Sequence, residues 1–297
     1  MDNLRGIVLM VAAMAGFALE DMFIKHVSAT LPIGQILLVL GTGGALIFSA
    51  LALRQGRRLF SRDLFARPVL LRNAGELTGT LGFVSAIALT PLSSASAILQ
   101  ATPLAVTLGA ALFLGEQVGW RRWSAIGLGF LGVLLVIRPG LSGFEPASLF
   151  AVMAVFGLAA RDLATRATPP NVTSLQLSAY AFAMLVPLGA VLLIVGPGGL
   201  QPMPAPVMLR LAGALCVGVT AYYAIVAAMR MGEVSVITPF RYSRLIFALI
   251  IGRLVFGERP DGWTLAGAAL IIGSGLYTFA REAQLRRRAA RAARAAA

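Results

Sequence analysis

Gly16-Phe17-Ala18-Leu19-Glu20-Asp21, followed by Lys25, returns 141 residues later as Gly157-Leu158-Ala159-Ala160-Arg161-Asp162, followed by Arg166. Each copy carries a glycine, a charged residue four positions on, an aspartate at five and a base at nine. Two more matches lie further along. Leu112-Phe113-Leu114-Gly115-Glu116 corresponds to Leu254-Val255-Phe256-Gly257-Glu258 at an offset of 142, and Trp123 with Gly127 corresponds to Trp263 with Gly267 at an offset of 140. One such match is weak. Three at nearly one offset identify an internal repeat of about half the chain.

What each copy contains follows from composition. The chain has 297 residues, 58% of them hydrophobic and only 12% charged, with a mean hydropathy of +0.85. A soluble domain carries about 25% charged residues, so the solvent implied here is lipid. A bilayer core takes about 20 apolar residues per helix. Ten stretches meet that length, at about 5–25, 32–53, 70–90, 94–115, 121–138, 146–166, 172–195, 208–230, 234–256 and 262–280. Turn residues separate them: Thr30–Pro32, Thr90–Pro91, Pro139–Gly140, Thr168–Asn171, Pro197–Pro206 and Arg259–Gly262. The predicted fold is an all-α integral membrane protein of ten transmembrane helices. Its first five-helix repeat covers residues 1–140, its second covers 141–281, and a basic tail follows at 282–297. Five is odd, so the second copy enters the membrane the opposite way round, as an inverted repeat. In such architectures the substrate site lies near the midplane between the halves, and rocking about it gives alternating access.

The net charge of +13 does not point to nucleic acid, because the bases sit in short gaps between apolar runs. With the N-terminus in the cytoplasm, eighteen Lys and Arg face inward and five outward, with Arg241 and Arg244 inside a span. That asymmetry places both termini in the cytoplasm and the protein in the inner (plasma) membrane. The arginine-rich tail then meets the anionic inner leaflet. The first apolar run, about Gly6 to Ile24, is too long for the core of a cleavable signal. A lone cysteine (Cys216) and a lone histidine (His26) exclude an internal disulfide and a Cys- or His-rich metal site. Neither a phosphate-binding glycine loop nor a catalytic constellation is present, so the expectation is a non-enzyme without metal or cofactor.

The chain resembles the drug/metabolite transporter superfamily, in particular its ten-helix EamA-type members. The residues that carry the likeness are Gly115–Glu116 and Gly257–Glu258, each closing the fourth helix of its half, and the glycine-rich fifth helices. Prolines in Ala101-Thr102-Pro103-Leu104 and Thr238-Pro239-Phe240 fit as well. The likeness covers about 280 residues. It is specific for fold and poor for substrate, since members move amino acids, nucleotide-like metabolites, vitamins and quaternary amines.

Charges inside a membrane cost at least about 2.5–3.5 kcal/mol each and mark function by default. Arg241 and Arg244, flanking Tyr242 and Ser243 in the ninth span, share a helix face. They form a candidate anion clamp, or else part of an internal salt-bridge network. Their counter-ions are a substrate acid or Glu76, Glu20 and Asp21. Glu76 reads either as an i,i+4 partner of Arg72 or as an acceptor of a substrate amine or proton, Arg72 being free to snorkel inward. Gln100 and Thr102 correspond to Tyr242 and Arg244 at the 142 offset and so lie opposite the arginine face. Tyr222 and Tyr223 sit mid-span, where one of the two faces a pocket, and Tyr180 is a weaker candidate of the same kind. Asp21 with Lys25 and Asp162 with Arg166 read as i,i+4 latches, so that Glu20, Asp21, Lys25, Arg161 and Asp162 serve gating or coupling. Glu116 and Glu258 read as structural helix ends.

These readings add up to a secondary transporter of a small anionic or zwitterionic, amino-acid-like metabolite. Its partners are the substrate, the bilayer, and protons or a counter-substrate. The alternative is an uptake carrier or exchanger of a larger nucleotide-like or vitamin metabolite of the S-adenosylmethionine or riboflavin type. An alternative of another class is a passive channel.

Overall fold

The computed structural model describes residues 2–59, 62–115, 119–141, 144–169, 171–196, 199–231 and 234–295. Glu116, one half of a repeat match, lies outside the described residues. Among those described there is no strand. The helices are α1 (Asp2–Val27), α2 (Ile33–Arg54), α3 (Arg67–Leu89), α4 (Leu92–Leu99), α5 (Thr102–Phe113), α6 (Trp120–Ile137), α7 (Ser148–Arg166), α8 (Ser174–Val195), α9 (Ala205–Met231), α10 (Val234–Ile237), α11 (Ser243–Val255) and α12 (Gly262–Ala295). Short 3-10 turns cover Arg62–Phe65 and Thr238–Tyr242.

Eight helical stretches among the described residues are long and apolar enough to cross a membrane. The two remaining expected spans fall short for a physical reason. Helix α3 carries Arg67, Arg72 and Glu76. The ninth stretch carries Arg241, Arg244 and Arg253 and is divided among α10, a 3-10 turn and α11. The interior is correspondingly polar: Asp21, Gln35, Arg72, Asn73 and Gln100 are all buried, while Leu46, Leu131, Ile194, Leu209 and Leu254 point outward. An apolar exterior around a polar interior suits a chain whose solvent is hydrocarbon.

The fourth expected span is also two helices, broken at Gln100–Ala101. Pro103 has no N–H to give to the carbonyl of Leu99. The Thr102 hydroxyl donates to that carbonyl instead, at 2.6 Å. In the ninth stretch Pro239 opens the 3-10 turn. Both breaks therefore sit where a proline removes a backbone donor.

Helices pack as α1 with α9, α2 with α8, α3 with α7, α6 with α12, and α4 with α11. Each pair joins one element from before residue 140 with one from after it. Small residues let the backbones close: a methyl group on Gly157 of α7 would meet the Gly79 nitrogen of α3 at 2.5 Å. Two buried glutamines, 141 residues apart, tie loops across the bundle. Gln35 near the start of α2 donates to the Gln201 carbonyl at 2.8 Å and accepts the Gln201 N–H at 2.9 Å. Gln176 near the start of α8 donates to the Arg58 carbonyl at 2.7 Å and completes a capping box with Thr173. Neither glutamine stood out from the sequence, although the repeat offset relates them.

Candidate functional site

The two helix breaks meet. Gln100 Nε2 donates to the Tyr242 carbonyl at 3.1 Å, joining positions that correspond at the 142 offset. Tyr242 is the N-cap of α11, so the Gln100 amide bridges the break in one helix to the start of the other. The Tyr242 hydroxyl is buried without a hydrogen-bond partner in the described structure, and its ring lies edge-on to Phe279. It occupies the space beside Gly275, where any side chain would overlap it.

Beside this junction, Arg244 forms a bidentate pair with Asp21. Nη2 donates to Oδ1 at 2.9 Å and to Oδ2 at 2.8 Å, and Nε donates to Oδ2 at 3.2 Å. The guanidinium lies over the Phe17 ring at 5.2 Å and over the Phe83 ring at 5.1 Å. The Asp21 side chain is 3% exposed and that of Arg244 is 18% exposed. The carboxylate that answers Arg244 is therefore on α1, and Asp21 does not pair with Lys25 one turn away.

Lys25 turns the other way. Its Nζ donates to the Thr90 carbonyl at 2.7 Å and the Ile87 carbonyl at 3.1 Å, and lies 3.7 Å from Glu258 Oε1. Glu258 accepts the N–H groups of Leu92 and Ser93 at 2.6 and 3.0 Å and the Ser93 hydroxyl at 2.7 Å. It thereby caps the N-terminus of α4, where unsatisfied donors and the helix dipole favour an anion.

A second network runs through α3 and α7. Arg72 Nη2 is 3.2 Å from Glu76 Oε2, the i,i+4 pair read from the sequence. Arg161 Nη1 adds itself to Glu76 at 3.3 and 3.4 Å. The Arg161 Nε donates to Asp162 Oδ1 at 2.8 Å, so the partner seen for Asp162 is its own neighbour. Arg72 does not snorkel to the surface. It is 6% exposed and donates to the Leu177 carbonyl of α8 at 2.9 Å. Arg241 lies in the field of Asp162 but makes no hydrogen bond or ion pair with another described residue.

The tyrosines separate. Tyr222 stands edge-on to Phe48 with ring centroids 5.2 Å apart, inside the bundle. Tyr223 is 74% exposed and faces outward. The Tyr180 hydroxyl donates to the Leu59 carbonyl at 2.5 Å and packs with Val69, Val172 and Leu177, so it pins the segment before α3. Gln100, Tyr242, Arg244, Asp21, Glu20, Arg161, Asp162 and Glu76 thus belong to the central crossing region. Tyr180, Lys25 and Thr102 have structural partners of their own, and Tyr223 faces outward. A shallow groove of about 230 Å³ between α1 and α9, with Ala12, Gly16 and Thr220 in its wall, contains none of the intramembrane charges. His/Cys/Asp/Glu groups able to hold a metal ion are absent among the described residues.

The chain is similar to several known proteins. A riboflavin transporter of Rhizobium johnstonii is 29% identical over 212 residues, covering 71% of this chain and 70% of its own length. An S-adenosylmethionine uptake transporter of Rickettsia bellii is 25% identical over 216 residues, covering 72% of each chain. A solved crystal structure superposes with a TM-score of 0.61 at 18% identity, covering 94% of this chain and 98% of the other, a likeness of fold. The profile of the EamA-like transporter family matches residues 4–138 and again residues 146–280. The chain is a multi-pass membrane transporter and belongs to the EamA-like transporter family.

Proposed function

We propose that the protein is a secondary carrier of the bacterial inner membrane, built from two five-helix halves of opposite membrane orientation with both termini in the cytoplasm. Its substrate is a nucleotide-like or vitamin metabolite, of the size and kind carried by its riboflavin and S-adenosylmethionine relatives. The observation that carries the carrier reading is the Gln100–Tyr242 junction, where two broken helices meet beside the only dense set of intramembrane charges among the described residues. Irregular backbone at membrane depth is tolerated where it lines a cavity, and discontinuous helices build the binding sites of carriers with inverted repeats. The twofold match of the family profile supports a repeat, and five spans in each copy would set the two halves in opposite membrane orientation.

The relatives favour a larger substrate over a simple amino acid. With Arg244 engaged by Asp21, the arginine left for an acidic substrate group is Arg241. Tyr222 and Gln100 contribute the neutral part of the wall.

The test is counterflow in proteoliposomes loaded separately with riboflavin, S-adenosylmethionine and leucine. Saturable exchange of one of the first two, with a KM raised at least about tenfold in Arg241→Gln if the exchanged molecule carries a carboxylate, supports the reading. Exchange of leucine alone would return the substrate to the amino-acid class. Non-saturable flux without counterflow would make the protein a channel.

A further inference from the structure

The repeat allows one half of the site to be read against the other. Arg161 of α7 corresponds to Glu20 of α1 at the 141 offset, and Glu76 of α3 corresponds to Gly218 of α9 at the 142 offset. In the α3–α7 crossing these positions form an ion pair, Arg161 with Glu76 at 3.3 Å. In the α1–α9 crossing they leave Glu20 lying on bare backbone: a methyl group on Gly218 would meet Glu20 Oε1 at 2.4 Å. The same place in the fold thus holds a satisfied pair in one half and a lone carboxylate in the other.

The charges repeat this imbalance. Around α3 and α7, the cations Arg72, Arg161 and Arg241 face two carboxylates, Glu76 and Asp162. Around α1 and α9, the carboxylates Glu20 and Asp21 face one cation, Arg244, which Asp21 takes in bidentate fashion. The other groups near Glu20 do not serve it. Lys25 is turned to the Thr90 carbonyl, Tyr222 faces Phe48, Cys216 lies in the groove wall, and the α9 position opposite is a glycine. Glu20 makes no hydrogen bond or ion pair with another described residue. Glu76, read from the sequence as an i,i+4 partner of Arg72 or as the acceptor of an amine or a proton, already serves two arginines. A membrane charge without a partner costs too much to persist unless something exchangeable answers it.

We infer that Glu20 is the seat of an exchangeable positive charge during transport, supplied either by a proton or by the ammonium or sulfonium group of an organic substrate. Arg241, the cation in excess, faces the anionic end of a substrate that brings its own charge pair. The choice between the two sources rests on the carrier reading above. The seat itself does not.

The seat is tested first without any substrate. Thermal unfolding of the purified full chain is compared for Gly218→Arg, Glu20→Gln and the double variant. An arginine at 218 copies the Arg161–Glu76 pair in mirror sense. Gly218→Arg is expected to unfold about 2–4 °C above the double variant. Equal unfolding temperatures for the two would show that Glu20 cannot seat a cation and would overturn the inference. If Gly218→Arg does not fold, Glu20→Gln alone decides it in proteoliposomes loaded with riboflavin or S-adenosylmethionine and carrying an internal pH dye. A proton source gives a substrate-dependent change of internal pH during net substrate movement, which Glu20→Gln abolishes. An organic cation gives net S-adenosylmethionine movement without a change of internal pH, weakened at least about tenfold by Glu20→Gln. Net riboflavin movement by the wild type with no change of internal pH, unchanged in Glu20→Gln, overturns the inference and leaves the carrier reading standing. Absence of all exchange of both compounds overturns the proposed substrate class, and the unfolding comparison still decides Glu20.

Discussion

Removing Asp21 is expected to destabilise the protein more than removing Asp21 and Arg244 together. Arg244 holds Asp21 through three hydrogen bonds of 2.8–3.2 Å, with an aspartate side chain that is 3% exposed. Truncating one member of such a buried pair leaves an uncompensated charge and costs about 3–5 kcal/mol, whereas replacing both by apolar groups is often neutral. The Phe17 and Phe83 rings add about 0.5–2 kcal/mol of cation–π attraction, which stays with the guanidinium when the aspartate goes and softens the loss. Asp21→Ala should therefore lower the unfolding temperature of the detergent-purified protein by about 6–20 °C, at roughly 2–4 °C for each kcal/mol lost. Arg244→Met should do the same, and Asp21→Ala/Arg244→Met should recover at least half of the drop. The assay is a four-member thermal unfolding cycle, whose coupling energy isolates the pair. Additive single losses would show that the pair does not hold α1 to α11, and the structural role given to Arg244 would fall.

Gln100→Leu removes the side-chain hydrogen bond that bridges the two helix breaks, so exchange in proteoliposomes should slow at least about tenfold while the purified chain still folds; an unchanged rate would remove the junction from the mechanism. Gly157→Leu should be among the most disruptive single changes, because its side chain would push into the Gly79 backbone; the check is the yield of monodisperse protein against a control at the open position Gly127. Asp261, in the turn before α12, accepts the Thr264 N–H at 2.9 Å and pairs with Arg138, and these partners hold its carboxyl below the ordinary aspartate value. A lowered folded pKa means that the stabilisation is present above about pH 4 and is lost as the pH falls through the folded value. Wild type should therefore exceed Asp261→Asn in stability at pH 7, by a small margin at this exposed site, and the gap should close below pH 4 in a pH series of unfolding temperatures.

Much of the fold could be read from the sequence, because apolar length and repeat offsets are properties of the chain itself. The division at the fourth and ninth spans lay in the prolines Pro103 and Pro239. Their effect on the helix ladder is local chemistry, and hydropathy alone had merged each span into one. The charges were found, but their partners were not. Asp21 and Lys25 share a helix face, which makes an i,i+4 pair the natural reading. In the folded bundle Arg244 offers Asp21 a planar, two-pronged donor, and the carbonyls left at the end of α3 draw Lys25 away. Such competition is decided by tertiary placement. The Gln100–Tyr242 contact was foreshadowed by its 142 offset, and the same comparison would have singled out Gln35 with Gln176. Tyr180 and Tyr222 look alike as mid-span tyrosines; only the path of the segment around Leu59 separates them.

The pairing of each early helix with a late one sets a timetable for biogenesis. Asp21 meets Arg244 across 223 residues of chain, and Gln35 meets Gln201 across 166. At a synthesis rate of about 5–20 residues per second, Asp21 waits about 10–45 s before its partner leaves the ribosome. Through that interval α1 must rest in or beside the insertion machinery with a bare carboxylate, held in place by its apolar length alone. A nascent chain arrested before residue 234 should therefore be a quality-control substrate, and proteolysis of the first half in the cell should stop once the ninth stretch has been made.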